Sequence, residues 1–232
     1  MDMYKTLREE AYEANLEIKR QNLAIYTWGN VSAFDSVKGV FAIKPSGVFY
    51  DLLKPEYMVL VDLDGKIVDG DLKPSSDTKT HQVLYREFAG IGGITHTHST
   101  YAVAWAQAKK PVPVFGTTHA DYLTEEIPCT EYMDSEAVNR NYEFETGKLI
   151  VETFRRKNLN PSHLTMVLIA GHGPFTWGTS AAQSVYHSAV LEEICRMALL
   201  TVTLDPLAQM LPAHIIEKHW ERKHGKNAYY GQ

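Results

Sequence analysis

Apolar and polar positions along this chain of 232 residues switch between a helical period and an alternating one. Near the start, Tyr4, Leu7, Ala11, Ala14 and Ile18 recur at steps of three and four with charges between them, predicting a helix over about 2–22. The next apolar runs are short. Val40-Phe41-Ala42-Ile43 reads as a strand, and 58–63 with 66–68 reads as a β-hairpin closed by a type I′ turn at Asp64-Gly65. Strands lying side by side, with antiparallel pairing, therefore fill the first third. Further on the pattern predicts a helix over 79–88, a strand through 92–99, a helix over 100–108, a helix over 143–157 and a buried strand over 166–170. The longest helix covers 179–203, with Ala182, Tyr186, Ala189, Val190, Ile194 and Met197 on its apolar face. A last helix starts at Pro212 and stops at Gly225. No linker, low-complexity run or repeat divides the chain, so a single domain over 1–232 is expected.

Composition narrows the partners. A net charge of -5 with no clustered Lys/Arg stripe gives no support to nucleic-acid binding. No apolar run approaches membrane-spanning length, and Met1-Asp2-Met3-Tyr4-Lys5 lacks the apolar core of a secretory signal. Cys129 and Cys195 are the only cysteines and form no CxxC pair. A cytoplasmic protein with free thiols is the expectation.

Several stretches carry chemistry. In Gly92-Gly93-Ile94-Thr95-His96-Thr97-His98-Ser99 two histidines sit one residue apart. On extended backbone their rings leave the same side, which suits two ligands of one metal ion, or two histidines that merely neighbour each other. His172, between Gly171 and Gly173 after the strand over 166–170, is a third ligand or an ordinary loop histidine. Gly29-Asn30 is a turn or a close-approach loop whose amides hold an anion. Lys44-Pro45-Ser46-Gly47 offers a point charge, a hydroxyl and an unhindered N–H, a set that suits an oxyanion. Pro74-Ser75-Ser76-Asp77-Thr78 precedes a helix; capping explains one of these residues, and phosphate binding at the helix start would use more. Gly116-Thr117-Thr118-His119-Ala120-Asp121-Tyr122 reads as a loop dense in titratable and hydroxyl groups. The tail ends on Tyr229 and Tyr230, whose rings suggest docking, with another subunit as one candidate surface.

Together these blocks resemble the L-ribulose-5-phosphate 4-epimerase family within the class II aldolase/epimerase group. The resemblance is carried by Thr27-Trp28-Gly29-Asn30-Val31-Ser32, Ile43-Lys44-Pro45-Ser46-Gly47, Pro74 to Thr78, His96-Thr97-His98-Ser99, Gly116 to Tyr122, His172-Gly173-Pro174-Phe175, Lys223-His224-Gly225 and Tyr229-Tyr230-Gly231-Gln232, in the family's order. It implies an α/β three-layer sandwich, with a mostly antiparallel central sheet between helical layers, assembled as a homotetramer. It implies Zn2+ on His96, His98 and His172 with Asp77 at or near a fourth position, although manganese or cobalt also suits imidazoles. It implies a sugar-phosphate substrate whose phosphate meets Gly29, Asn30, Lys44, Ser46, Gly47, Ser75 and Ser76. Asp121 and Tyr230 would be the acid/base pair, reaching the site from a neighbouring chain, with His219 and Arg222 less firmly attached to it. The implied reaction interconverts L-ribulose 5-phosphate and D-xylulose 5-phosphate, at the end of arabinose or ascorbate breakdown. The alternative is an aldolase of the fuculose- or rhamnulose-phosphate type, which releases the aldehyde. A non-catalytic protein with structural zinc is the reading from a different class.

Overall fold

The computed structural model describes residues 3–226 and 228–230. Seven strands form one sheet in the order β4-β3-β2-β1-β5-β7-β6. They are β1 (Asn30–Asp35), β2 (Val40–Ile43), β3 (Val59–Asp62), β4 (Ile67–Asp69), β5 (Gly93–His96), β6 (Met166–Leu168) and β7 (Pro174–Gly178). Every ladder between them is antiparallel. The helices are α1 (Lys5–Arg20), α2 (Thr78–Glu87), α3 (Thr100–Gln107), α4 (Thr117–Ala120), α5 (Ser135–Arg156), α6 (Ala181–Leu204) and α7 (Ala213–His224).

The period of two sorts the strands' side chains between two cores. On one face Phe41, Ile43, Val59, Val61, Ile94, Phe175 and Trp177 pack with Val83 and Leu84 of α2, with Phe88 just after it, and with Ile150, Val151 and Phe154 of α5. On the other, Val31, Ala33, Val40, Ala42 and Leu60 meet Leu7, Ala11, Ala14 and Ile18 of α1 with Ala181 and Val185 of α6. The expected architecture, a sheet between helical layers, is the one observed.

Four local expectations need correction. The β3–β4 turn is not type I′, which needs positive φ at both central residues. Only Gly65 has it (φ 83), and the Asp62 carboxylate accepts the N–H groups of Asp64 and Lys66 to close a three-residue loop. The stretch expected as a loop around Thr117–Ala120 is a short helix, with Asp121 as its C-cap. The helix expected from 143 begins at Ser135, capped by the Asp134 side chain on the Ala137 N–H, and breaks at Asn141 (φ -169, ψ 83). The strands β1 and β7 did not stand out in the sequence. One starts on a Gly-Asn turn signal and the other on a proline, and both signals mask a short strand.

Both ends of the sheet are blunted. The edge strand β4 is three residues long, bulged against β3, and tied to α1 by Arg8, whose guanidinium donates to Asp69 at 2.5 Å. At the other end, the segment around Cys129 follows β6: the Leu168 N–H donates to Pro128 O, and the Thr130 N–H to Leu168 O.

The seat of β5 decides where the site lies. It is pressed against the start of α6, where Ser180 caps the helix by accepting the Gln183 N–H. A Cβ on Gly93 would lie 2.3 Å from Ala181 N and 2.4 Å from its Cα. Hydroxyls finish the seam: Thr95 Oγ1 bonds Ser184 Oγ at 2.7 Å, and Thr176 Oγ1 donates to Ser184 O at 2.8 Å. We expect Gly93→Ala to cost roughly 3 kcal/mol or more in chemical denaturation, because backbone must move to admit the methyl. Gly116→Ala, where a Cβ meets nothing within 4 Å, is expected to stay within about 1 kcal/mol of wild type.

Candidate active site

Register brings Asn30 of β1 opposite His96 of β5, and His96 opposite Phe175 of β7, so the three form one row across the sheet. A cavity of about 550 Å³ opens at this row. Its walls include Thr27 to Asn30, Lys44 to Gly47, Ser75 to Asp77, His96, His98, Tyr142, Glu143 and His172.

His96 ends β5, and His98 follows just beyond the strand with Thr97 buried between them. His172 enters from the β6–β7 loop, which is closed by the Ile169 N–H on Gly173 O and the His172 N–H on Ile169 O, both at 2.9 Å. The ligand nitrogens of the three imidazoles lie within 4.8 Å of one another, and Nε2 of His96 is 3.1 Å from Nε2 of His98. His96 Nδ1 donates to Pro174 O at 2.9 Å, leaving Nε2 as the lone pair, and its ring stacks on Phe175 at 4.3 Å. Burial lowers the pKa of all three histidines, to about 4 for His172, with the neighbouring imidazoles adding to the effect. They are neutral at pH 7, the form that binds metal.

Asp77 sits at the start of α2 without capping it. Ser75 does the capping work: it accepts the Asp77 N–H on Oγ at 3.3 Å and the Thr78 hydroxyl on its carbonyl at 2.6 Å. The Asp77 carboxylate instead accepts Asn30 Nδ2 at 2.7 Å and lies 4.0 Å from His96 Nε2. Burial opposes its charge, yet the imidazoles of His96 and His81 and the Asn30 amide hold its pKa below the ordinary value. One turn along α2, His81 Nδ1 meets Ser32 Oγ at 2.7 Å. Asn30 and Ser32 of the strand thus face Asp77 and His81 of the helix as two polar rungs. Burial pushes His81 down to about 3, so it too is neutral.

The donor set fits a divalent ion. It has three neutral imidazoles, an adjacent carboxylate, and one side open to the cavity. Nitrogen and oxygen donors of this kind suit zinc, and also manganese or cobalt.

The residues expected to meet phosphate share this cavity. Their two loops are tied together, the Ser46 N–H donating to Lys73 O at 2.9 Å and the Ser75 N–H to Lys44 O at 3.0 Å. Gly29 has φ 74, and a Cβ there would lie 2.8 Å from the His96 carbonyl oxygen. Lys44 is 1% exposed, and among the described residues it has no ion-pair partner. Burial lowers its pKa to about 8.

Asp121 and Tyr230 lie elsewhere, and they lie together. The Asp121 carboxylate accepts Nε and Nη2 of Arg222 at 3.0 and 2.7 Å and Nδ1 of His219 at 2.9 Å. The Arg222 guanidinium sits 4.2 Å from the centre of the Tyr230 ring, which is half exposed. None of these four residues lines the cavity of the histidines. The tail docks on its own chain: the N–H groups of Tyr229 and Tyr230 donate to Arg222 O. Gly231 and Gln232 lie outside the described residues. Burial works against the charge on Asp121, but Arg222 and His219 outweigh it and hold its pKa low.

Sequence reading overlooked Tyr142 and Glu143. The break at Asn141 turns them into the cavity, with Tyr142 OH 3.5 Å from His172 Nδ1. Within a run of helix-forming residues neither bears any mark of this. Trp28, whose ring is 6.1 Å from His98, was named only as part of a motif.

Among the described residues no helix is long and apolar enough to cross a membrane. Solved structures share the fold. An L-fuculose 1-phosphate aldolase matches with TM-score 0.75 and 24% identity over 94% of this chain and 95% of its own. An L-fuculose-1-phosphate aldolase from Thermus thermophilus matches with TM-score 0.67 and 23% identity over 88% of this chain and 98% of its own. An aldolase II superfamily protein from Pseudomonas syringae matches with TM-score 0.76 and 16% identity over 96% and 86%. The family model described as Class II Aldolase and Adducin N-terminal domain matches residues 9–199, a span from α1 well into α6 that holds the three histidines and Asp77. With that match, the chain belongs to the Class II Aldolase and Adducin N-terminal domain family.

Proposed function

We propose that this protein is a divalent-metal-dependent epimerase that interconverts L-ribulose 5-phosphate and D-xylulose 5-phosphate by opening and closing the C3–C4 bond. The carrying observation is one cavity that holds both the imidazole–carboxylate cluster and Lys44, a cation with no ion-pair partner among the described residues. A sugar phosphate needs a seat of each kind, one for its carbonyl end and one for its phosphate.

The chemistry follows from the substrate. C4 is not adjacent to the C2 carbonyl, so its hydrogen is not acidic, and deprotonation cannot invert it. Removing the C4 hydroxyl proton and breaking C3–C4 can, because C4 becomes a flat aldehyde carbon. When bound, a divalent ion at His96, His98, His172 and Asp77 supplies Lewis-acid stabilisation of the charge that builds on the substrate's oxygens. Lys44, Ser46, Ser75, Ser76 and the Gly29, Asn30 and Gly47 backbone tether the phosphate while the aldehyde turns its other face. The C4 oxygen points to different sides in the two epimers, so two proton-transfer groups are needed. Asp121 and Tyr230 take these roles, carried by a second copy to the first copy's cavity in a homotetramer. Their shared position outside their own chain's cavity supports this.

A second reading is an aldolase that lets the aldehyde go. The fold comparisons favour it, since relatives of this fold are named L-fuculose 1-phosphate aldolase. The short carboxylate of Asp77, where the family resemblance associates aldolases with a longer Glu, favours the epimerase.

Incubated with L-ribulose 5-phosphate, the zinc-loaded protein is expected to form D-xylulose 5-phosphate, to lose this activity to a chelator and to regain it with zinc. Free glycolaldehyde phosphate accumulating in step with turnover decides for the aldolase instead. Asp121→Asn and Tyr230→Phe are each expected to lower kcat by about 100-fold or more with metal content unchanged; full activity in both rejects the acid/base assignment. Lys44 binds phosphate as the cation, and its depressed pKa sets an alkaline limit: KM is expected to rise as pH passes about 8. A KM flat to pH 9.5 rejects this role.

A further inference from the structure

A buried ammonium is costly unless something replaces its water. Lys44 has little to replace it. Its Nζ lies 3.3 Å from Thr27 O and 3.4 Å from Pro45 O, both long for hydrogen bonds. A third neighbour is the ring of Tyr50, whose centre is 4.9 Å away. Tyr50 is 2% exposed and follows the Lys44 loop in a short helical turn. Its hydroxyl donates to two carbonyls at once, Trp28 O at 2.7 Å and Gly29 O at 3.0 Å. Burial raises its pKa, so the hydroxyl stays protonated and keeps donating.

These contacts fit one task. An aromatic face solvates a cation without cancelling its charge. A carboxylate in the same place would neutralise Lys44 and repel an arriving anion. The peptide between Trp28 and Gly29 is trans, so holding its carbonyl on Tyr50 turns the Gly29 N–H the opposite way. Gly29 lines the cavity and Tyr50 does not.

We propose that Tyr50 is a positioning residue of the anion subsite, holding Lys44 as an uncompensated cation and fixing the Trp28–Gly29 peptide, so that the subsite takes a phosphate dianion. The inference rests on reading this cavity as the phosphate seat. The other titratable groups around the cavity are Asp77, Glu143, Tyr142, His96, His98 and His172. Burial alone accounts for the lowered pKa of Lys44.

The test is calorimetric binding of inorganic phosphate to the zinc-loaded protein from pH 6.5 to 9.5, for wild type, Lys44→Met, Tyr50→Phe and Tyr50→Leu. Wild type is expected to bind and to weaken above about pH 8. Lys44→Met is expected to lose binding by about tenfold or more. Tyr50→Phe keeps the ring and loses the hydroxyl, so binding should weaken about tenfold with the alkaline limb in place. Tyr50→Leu should weaken it further and move the limb upward, because water reaches the ammonium. Metal content should stay at the wild-type level in every variant. If Lys44→Met binds like wild type, the phosphate seat itself is misassigned. If Lys44→Met fails to bind while Tyr50→Phe matches wild type, the seat stands and the role of Tyr50 is overturned. Should Tyr50→Leu not fold, the Tyr50→Phe comparison decides alone.

Discussion

The bond from the Asn30 amide to the Asp77 carboxylate joins the centre of the sheet to the start of α2, and the candidate site is arranged around it. Asn30 belongs to the strand that pairs with His96, while Asp77 belongs to the helix that follows the Ser75-Ser76 loop. Fixing that one contact sets the spacing between the imidazole cluster and the hydroxyls expected to meet phosphate. A second rung, Ser32 to His81, keeps strand and helix from sliding past each other. Both rungs are polar and largely buried, where a hydrogen bond left unmade costs about 1–3 kcal/mol. A register error here is therefore expensive, and the site inherits its precision from that expense.

The layered architecture was legible, and so was the pairing of His96 with His98; the local elements that bring the site together were harder to read. The His96 and His98 pair was legible because alternation along extended backbone is a local property, set by two residues and the one between them. His172 was weaker, since its convergence depends on how β6 and β7 pair, which no short window contains. Strand β1 hid behind Gly29-Asn30, which signals a turn, and β7 behind Pro174. Asp121 was expected in a loop, yet it closes a four-residue helix too short for periodicity to register. Tyr50 and His81 show the deeper limit. A pattern tells which face of an element is buried, but not which polar atom will meet another across the core.

The two acidic groups of the proposed reaction stand in different electrostatic settings. Asp77 faces neutral imidazoles and an amide, so its charge is available to a cation placed among them. Asp121 is already engaged by Arg222 and His219. A carboxylate held so firmly ionised is a weak base, and taking up a proton there requires its partners to readjust. His219 and Arg222 therefore belong to any account of proton movement through Asp121, although both sit on a helix beyond the span that the family model matches.

The borders of the sheet are blunted in ways that discourage strand addition. Arg8 and the bulge occupy one border, and the strip around Cys129 occupies the other. A three-residue strand with a bulge is a poor template for a newcomer's backbone, and at the other border the Leu168 N–H and C=O are already taken. Strand addition between copies is thereby disfavoured, which leaves helices, loops and side chains as the surfaces for any contact between them. That is the kind of junction in which a residue from one chain can be set down beside the cavity of the next.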